Sequence, residues 1–121
     1  MSGAVYKKLK VWQKAMDLVE EVYRLTKTLP KEETYGLVNQ LRRAAISVPS
    51  NIAEGNARNS HKEYIHFLSI ARGSKSEVET QLEICVRLNY LDTTQTQRAA
   101  GLCNEVGKML NTMIRKLLPN P

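Results

Sequence analysis

The sequence predicts an all-α protein: an antiparallel up-down-up-down four-helix bundle with a kinked second helix. Three observations carry that prediction. Apolar residues recur at three- and four-residue spacings through four long stretches. Only four prolines and six glycines interrupt the 121 residues. The connections between the periodic stretches are short, which favours antiparallel neighbours. Hydrophobic residues make up 42% and charged residues 25%, a balance that suits a packed chain and not a disordered one. The length fits one domain, 1–121, with a single core that needs no disulfide.

The first helix is expected over about residues 9–28, where Trp12, Ala15, Met16, Val19, Val22, Tyr23 and Leu29 fall at helical spacing. Residues 1–6 are expected to fray. Lys7, Lys8, Lys10 and Lys14 precede the first acid, Asp17, so the helix starts basic. Leu29-Pro30 ends it, because proline disfavours helical geometry in the residue before it. Glu32 and Glu33 then suit the positive end of a second helix, expected over about residues 34–57.

That second helix holds the stretch from Gln40 to Gly55, around which the chain is organised. At about 100° per residue, Leu37, Leu41, Ala44, Ala45, Val48 and Ile52 share one sector and form a core face. Gln40, Arg43, Ser47, Asn51, Glu54 and Arg58 form a polar stripe beside it. Ile46, Ala53 and Ala57 make a third patch of mostly small residues, facing away from the core. Pro49 lacks a donor and pushes its ring at the Ala45 carbonyl, so a bend is expected there, with Ser47 and Ser50 placed to satisfy the freed groups.

Ser60 with Glu63 three residues on forms a capping box and opens a third helix, about residues 61–89. Its face is Tyr64, Phe67, Leu68, Ala71, Val78, Leu82 and Cys85. Gly73 in mid-helix costs about 1 kcal/mol relative to alanine, which close approach by another helix would explain. Lys75 falls inside the apolar sector, so its ammonium must reach solvent or meet a carboxylate such as Glu79 or Glu54. After a short turn, Asp92 or Thr94 can cap a fourth helix, about residues 94–118, each with a glutamine three residues on. Its stripe is Ala99, Leu102, Val106, Met109, Leu110, Met113 and Leu117.

No apolar run approaches the length of a membrane span and no signal-peptide core begins the chain, so a cytoplasmic protein is expected. Cys85 and Cys103 lack metal-type spacing. They sit about equally far from the turn near residue 92 and could lie level on paired helices, where a disulfide is conceivable; a reducing compartment favours two buried thiols. The formal charge is +6. An excess of that size permits phosphate binding, and also occurs as plain solvated surface.

Several motifs stand together here: Leu9 with Trp12 and Ala15, Pro30, Tyr35-Gly36-Leu37, Gln40-Leu41-Arg42-Arg43-Ala44, Ser47 through Gly55, and Ala71-x-Gly73-Ser74-x-x-Glu77. From Trp12 to Leu91 they resemble the four-helix bundle proteins related to the intervening-sequence protein of large-subunit (23S) ribosomal RNA, often labelled ribosomal-protein-like. The fourth helix matches only in apolar spacing. Lys75 departs from the pattern, standing where that family generally has an apolar residue. The resemblance implies a bacterial protein whose bundles assemble into a closed ring, typically a homopentamer. It also implies kinship with a group that serves as a basic accessory subunit of a retroelement reverse transcriptase. For most members no function is established.

Candidate sites follow from these stripes. Gln40, Arg43, Ser47, Asn51 and Glu54, with Ser74 and Glu77 on the third helix, read as a buried or interfacial hydrogen-bond network rather than as a catalytic cluster. Glu63-x-x-His66 has the spacing of di-iron bundle proteins, but the chain has only two histidines, and both residues project away from the core face. No metal, cofactor or enzymatic activity is expected. Ile46, Ala53, Ala57 and Gly73 are the candidates for contact between copies. Lys7, Lys8, Lys10, Lys14, Arg42, Arg58, Lys62, Arg115 and Lys116 are the candidates for nucleic-acid contact; in a ring of five the excess would reach about +30. The expected function is therefore a non-enzymatic oligomer that binds structured RNA or DNA through a basic surface. The alternative is a structural adaptor for a nucleic-acid enzyme such as a reverse transcriptase, with a protein partner.

Overall fold

Ser60 and Asp92 mark two of the places where the chain reverses. The Ser60 hydroxyl accepts the Glu63 backbone N–H at 3.1 Å and opens α3 (His61–Arg87). Asp92 accepts the Gln95 N–H at 2.7 Å while the Gln95 side chain accepts the Asp92 N–H at 2.9 Å, and this reciprocal pair leads into α4 (Gln97–Leu117). Asn89, at φ 63°, takes the left-handed conformation that turns the chain out of α3. With α1 (Lys10–Thr26) and α2 (Asn39–Asn56), the computed structural model describes residues 5–119 as four helices. Neighbours pack in the order α1–α2–α3–α4, and α4 closes on α1. No helix among the described residues is long and apolar enough to cross a membrane.

The core forms two layers along the bundle. One joins Leu18, Val22 and Leu25 of α1 to Leu41 and Ala45 of α2, Val78, Leu82 and Cys85 of α3, and Ala99, Leu102 and Cys103 of α4. The other joins Val11 and Ala15 to Val48 and Ile52, Leu68 and Ala71, and Val106, Leu110 and Ile114. The start of α1, the end of α2, the start of α3 and the end of α4 therefore meet at one end, as up-down-up-down order requires.

The phase of α1 differs from the expected one. Its buried stripe is Val11, Ala15, Leu18, Val22 and Leu25, while Trp12, Met16, Val19 and Tyr23 are only half-buried on the adjoining face. Both sets have helical period, and the set with the smaller, branched side chains fits the centre of the bundle. The chain before α1 is not frayed throughout: Val5–Lys8 form a helical turn, and Tyr6 meets the Trp12 ring edge-on at 5.4 Å. Residues 1–4 of the expected frayed segment lie outside the described residues.

The second helix also departs from expectation at its start. Thr34–Val38 form a wider turn in which Gly36 is non-helical (φ −106°, ψ −110°), so Leu37 is half-buried instead of central. Regular α2 begins at Asn39 and continues through Pro49, which is buried. Ser47 turns toward α3 and Ser50 is exposed, so neither attends to the carbonyl freed by the proline. At this end Glu33 ties the two connections together. One carboxylate oxygen accepts the Leu37 N–H at 3.3 Å, and the other accepts the Tyr90 hydroxyl at 2.9 Å. That hydrogen bond, with some help from burial, holds the Tyr90 phenol above its usual range.

Lys75 is accommodated by a residue that carries no side chain. A Cβ built at Gly107 of α4 would stand 3.2 Å from Lys75 Cε and Nζ, so the lysine stem lies across the glycine and its ammonium reaches Glu79 at 2.9 Å. Glu79 is the partner, and Glu54 is not. The two cysteines are free and fully buried in one core layer. Burial, aided by Glu79 and opposed by Lys75, pushes the Cys103 thiol up to about 12. Burial likewise raises Cys85. Both therefore stay protonated and inert near neutral pH.

Gly55, and not Gly73, is where helices approach closely. A Cβ at Gly55 would lie 2.9 Å from Phe67 Cβ and 3.3 Å from the Tyr64 carbonyl oxygen, whereas one at Gly73 would meet nothing within 4 Å. The two alanine variants should consequently move in opposite directions. Gly55→Ala should lower stability by about 1–3 kcal/mol through overpacking. Gly73→Ala should raise it by about 1 kcal/mol through helix propensity. Paired urea denaturation curves check both; equal and small shifts would contradict the packing described.

Candidate nucleic-acid interface

Eight of the nine cations expected to contact nucleic acid gather at one end of the bundle. Lys7 and Lys8 end the helical turn before α1, Lys10 and Lys14 lie in the first turns of α1, Arg58 and Lys62 flank the α2–α3 turn, and Arg115 and Lys116 sit in the last turn of α4. Periodicity brings them together only after the helices are folded against one another. Lys108 of α4 joins them, a residue not singled out from the sequence. Its signal was available, since it stands two turns before Arg115 on the same helix. Against these cations stand Glu54, Glu63 and Glu105, and Asp17 and Arg72 near mid-bundle offset each other. The formal excess of +6 thus resides at this end, and the opposite end is close to balance.

Arg42 is the exception. It lies at the opposite end, where its Nε donates to Thr26 Oγ1 at 2.9 Å and its guanidinium covers the Tyr23 ring at 4.3 Å. It is a packing residue between α1 and α2. Two of the eight are partly neutralised: Lys14 pairs with Glu105 at 3.3 Å and Arg58 with Glu54 at 2.7 Å. Among the described residues the other six make no ion pair, and Lys7, Lys8, Lys10, Lys62, Arg115 and Lys116 are all exposed. Between Lys10 and Lys108 runs an apolar groove of about 410 Å³ with Leu9, Val11, Met109 and Met113 as its floor.

The expected polar network is assembled only in part. Ser74 Oγ donates to Ser47 Oγ at 2.8 Å, and Asn51 Nδ2 donates to the Ser47 carbonyl at 2.8 Å and its hydroxyl at 2.9 Å. Gln81 reaches Gln40 at 3.5 Å, and the Gln81 Oε1 is buried with no partner. Arg43 and Glu77 line the same α2–α3 groove of about 230 Å³ without pairing. Glu54 leaves the group altogether for Arg58. Nothing in this arrangement aligns a nucleophile with a base.

The residues proposed for contact between copies are divided as well. Ile46 and Ala53 face α1, where with Tyr6, Trp12, Met16, Val19, Pro49 and Ser50 they line a crevice of about 320 Å³. Ile46 is 42% exposed although large and apolar. Ala57 is exposed one turn beyond, and Gly73 lies on the outer side of α3, away from that crevice.

The sequence profile of the 23S rRNA-intervening sequence protein family matches residues 7–112. The chain belongs to that family. A crystal structure of a protein of unknown function of the S23 ribosomal protein family, from Bacteroides thetaiotaomicron, superposes with a TM-score of 0.80 at 26% identity, covering 87% of this chain and 98% of that one. The four-helix bundle is thus common to both. Among curated proteins there is no match.

The buried and exposed halves of the polar stripe should respond differently to truncation. Asn51→Ala removes donors from two Ser47 acceptors and should cost about 1 kcal/mol. Glu54 is about half exposed in its pair with Arg58, so Glu54→Ala should stay within about 0.5 kcal/mol of the parent. Thermal melts of the two variants check this, and equal losses would place Glu54 in a network it does not enter here.

Proposed function

We propose that this chain is a non-enzymatic nucleic-acid-binding bundle that holds structured RNA or DNA by its basic end. The observation that carries the reading is the gathering of the whole charge excess at the end where α1 begins, α2 turns into α3 and α4 stops. Exposed lysines and arginines without ion-pair partners release counterions when phosphates replace them, so affinity is expected to be backbone-directed and steeply salt-dependent. No helix-turn-helix or RNA-recognition signature points to base-by-base reading in a duplex. Anisotropy of a labelled RNA hairpin over a salt series tests this. Lys10→Gln with Lys116→Gln should weaken binding and flatten the log–log slope by roughly one unit or more. Arg42→Gln should leave the slope unchanged, because Arg42 sits at the other end. No binding by the parent at low salt, or equal losses in all variants, would defeat the reading.

A second observation favours association between copies. The α1–α2 crevice exposes Trp12, Met16, Val19 and Ile46 together, a contiguous apolar surface of the kind that marks an interface. We propose that copies of this chain associate through it, in a ring by resemblance to the family, which would set several basic ends side by side. Ile46→Asp should then lower the sedimentation coefficient while helicity by circular dichroism is retained. A parent that sediments as a monomer at micromolar concentration would remove this reading and leave the crevice for a protein partner, as an adaptor would use it.

A further inference from the structure

The α2–α3 turn carries a feature that phosphate contact does not explain. Arg58 follows the end of α2, and its backbone N–H donates to the Gly55 carbonyl at 3.1 Å. Its guanidinium is held from two sides, by Glu54 at 2.7 Å and by the Phe67 ring, whose centroid lies 4.8 Å from Cζ. His66 meets the same ring edge-on at 5.3 Å. The platform is rigid because its base is tight. Gly55 lets Phe67 and Tyr64 press onto α2, Asn56 donates to the Tyr64 hydroxyl at 3.1 Å, and Ser60 caps the helix that carries both rings. Around it lies an open recess of about 530 Å³ lined by Arg58, Lys62, Glu63, His66 and Phe67.

The charges here are balanced: Glu54 and Glu63 stand against Arg58 and Lys62, so the recess is a poor trap for an anion. What it offers is flat surface. A guanidinium plane backed by an aromatic ring, with an imidazole beside it, is the surface on which unpaired bases stack. We propose that this recess receives an unpaired nucleobase of a structured RNA, stacked in the Arg58–Phe67–His66 recess while the neighbouring phosphates lie against Lys62 and the basic end. This inference rests on the nucleic-acid reading above and adds to it a preference for bulged over fully paired RNA, which charge alone does not produce.

The test compares two hairpins with equal numbers of phosphates, one fully paired and one with a single bulged 2-aminopurine. The parent protein should bind the bulged hairpin about tenfold more tightly, and the bulged base should lose fluorescence as it stacks. Phe67→Leu keeps an apolar side chain and leaves every charge in place, so it should retain paired-hairpin affinity and the salt slope, while Arg58→Lys removes the guanidinium plane. Both should lose the bulge preference and the quenching. Equal binding of the two hairpins by the parent, or a preference that survives both substitutions, overturns the stacking site while leaving the basic end as a binding surface. Failure of either hairpin to bind at low salt overturns both.

Discussion

The close contact of α2 with α3 is the constraint on which much of the rest depends. It requires a residue without a side chain at position 55, where any Cβ would meet Phe67 Cβ at 2.9 Å. Given that contact, Ser47 and Ser74 come within 2.8 Å, so the Ser74 hydroxyl donates to the Ser47 hydroxyl across the helices. Each such bond adds only about 1 kcal/mol, but leaving either group buried alone would cost more. The same contact sets the Phe67 ring beneath Arg58. A packing requirement and a surface feature therefore share one glycine, and the first fixes the geometry of the second.

Charge is distributed independently of that core. The basic residues at the α1 start and the α4 end are exposed, and solvent at physiological ionic strength screens them over about 8 Å. Their mutual repulsion is therefore small beside the burial of two core layers, and the fold tolerates an uneven surface at little cost. At the opposite end charges are instead committed to structure. Glu21 is buried and bonds Arg24 Nε at 2.9 Å, with Arg98 at 3.8 Å, and Glu33 joins Leu37 and Tyr90 across two connections. Pairing with Glu21 raises Arg24 above its usual range. Several charges at that end are thus held in internal bonds, whereas among the described residues six cations of the basic end face solvent without an ion pair.

Much of this was legible in the sequence, and the misses have physical causes. Helix number, order and approximate ends follow from apolar period and capping residues; Ser60–Glu63 caps α3 as read, whereas the Asp92–Gln95 pair closes the turn before α4, whose own N-cap, Thr96, makes no side-chain cap bond. The phase of α1 was not legible, because two stripes of helical period lie side by side there and only packing volume selects between them. The carboxylate that Lys75 meets, Glu79, was legible along its own helix, whereas the space for its stem comes from Gly107 on another. Gly73 and Gly55 are indistinguishable by propensity; one meets open space and the other Phe67 Cβ and the edge of the Tyr64 ring. Arg42 was grouped with the surface cations although the expected up-down order already puts it at the far end; its bond to Thr26 and its cover of the Tyr23 ring depend on how α1 packs on α2, which periodicity does not give. The clustering of the other eight became visible only through the antiparallel order, which alternates the ends of successive helices.

The two proposed surfaces fit together by symmetry. The apolar crevice runs along α1 and α2, beside the helices and not across their ends. Cyclic symmetry relates copies by rotation about one axis, and every copy then has the same orientation along that axis. In a cyclic assembly built on the crevice with the helices running along the axis, all basic ends would face the same side. Dihedral symmetry would instead divide them between opposite sides. The distinction matters for a long polyanion. Phosphate contacts multiply only when the charged ends can be reached at once, and linking sites on one face converts each further contact into an intramolecular event. On these proposals, a modest excess on one protomer, set at one end and repeated around an axis, would offer a polyanion more simultaneous phosphate contacts than one copy can.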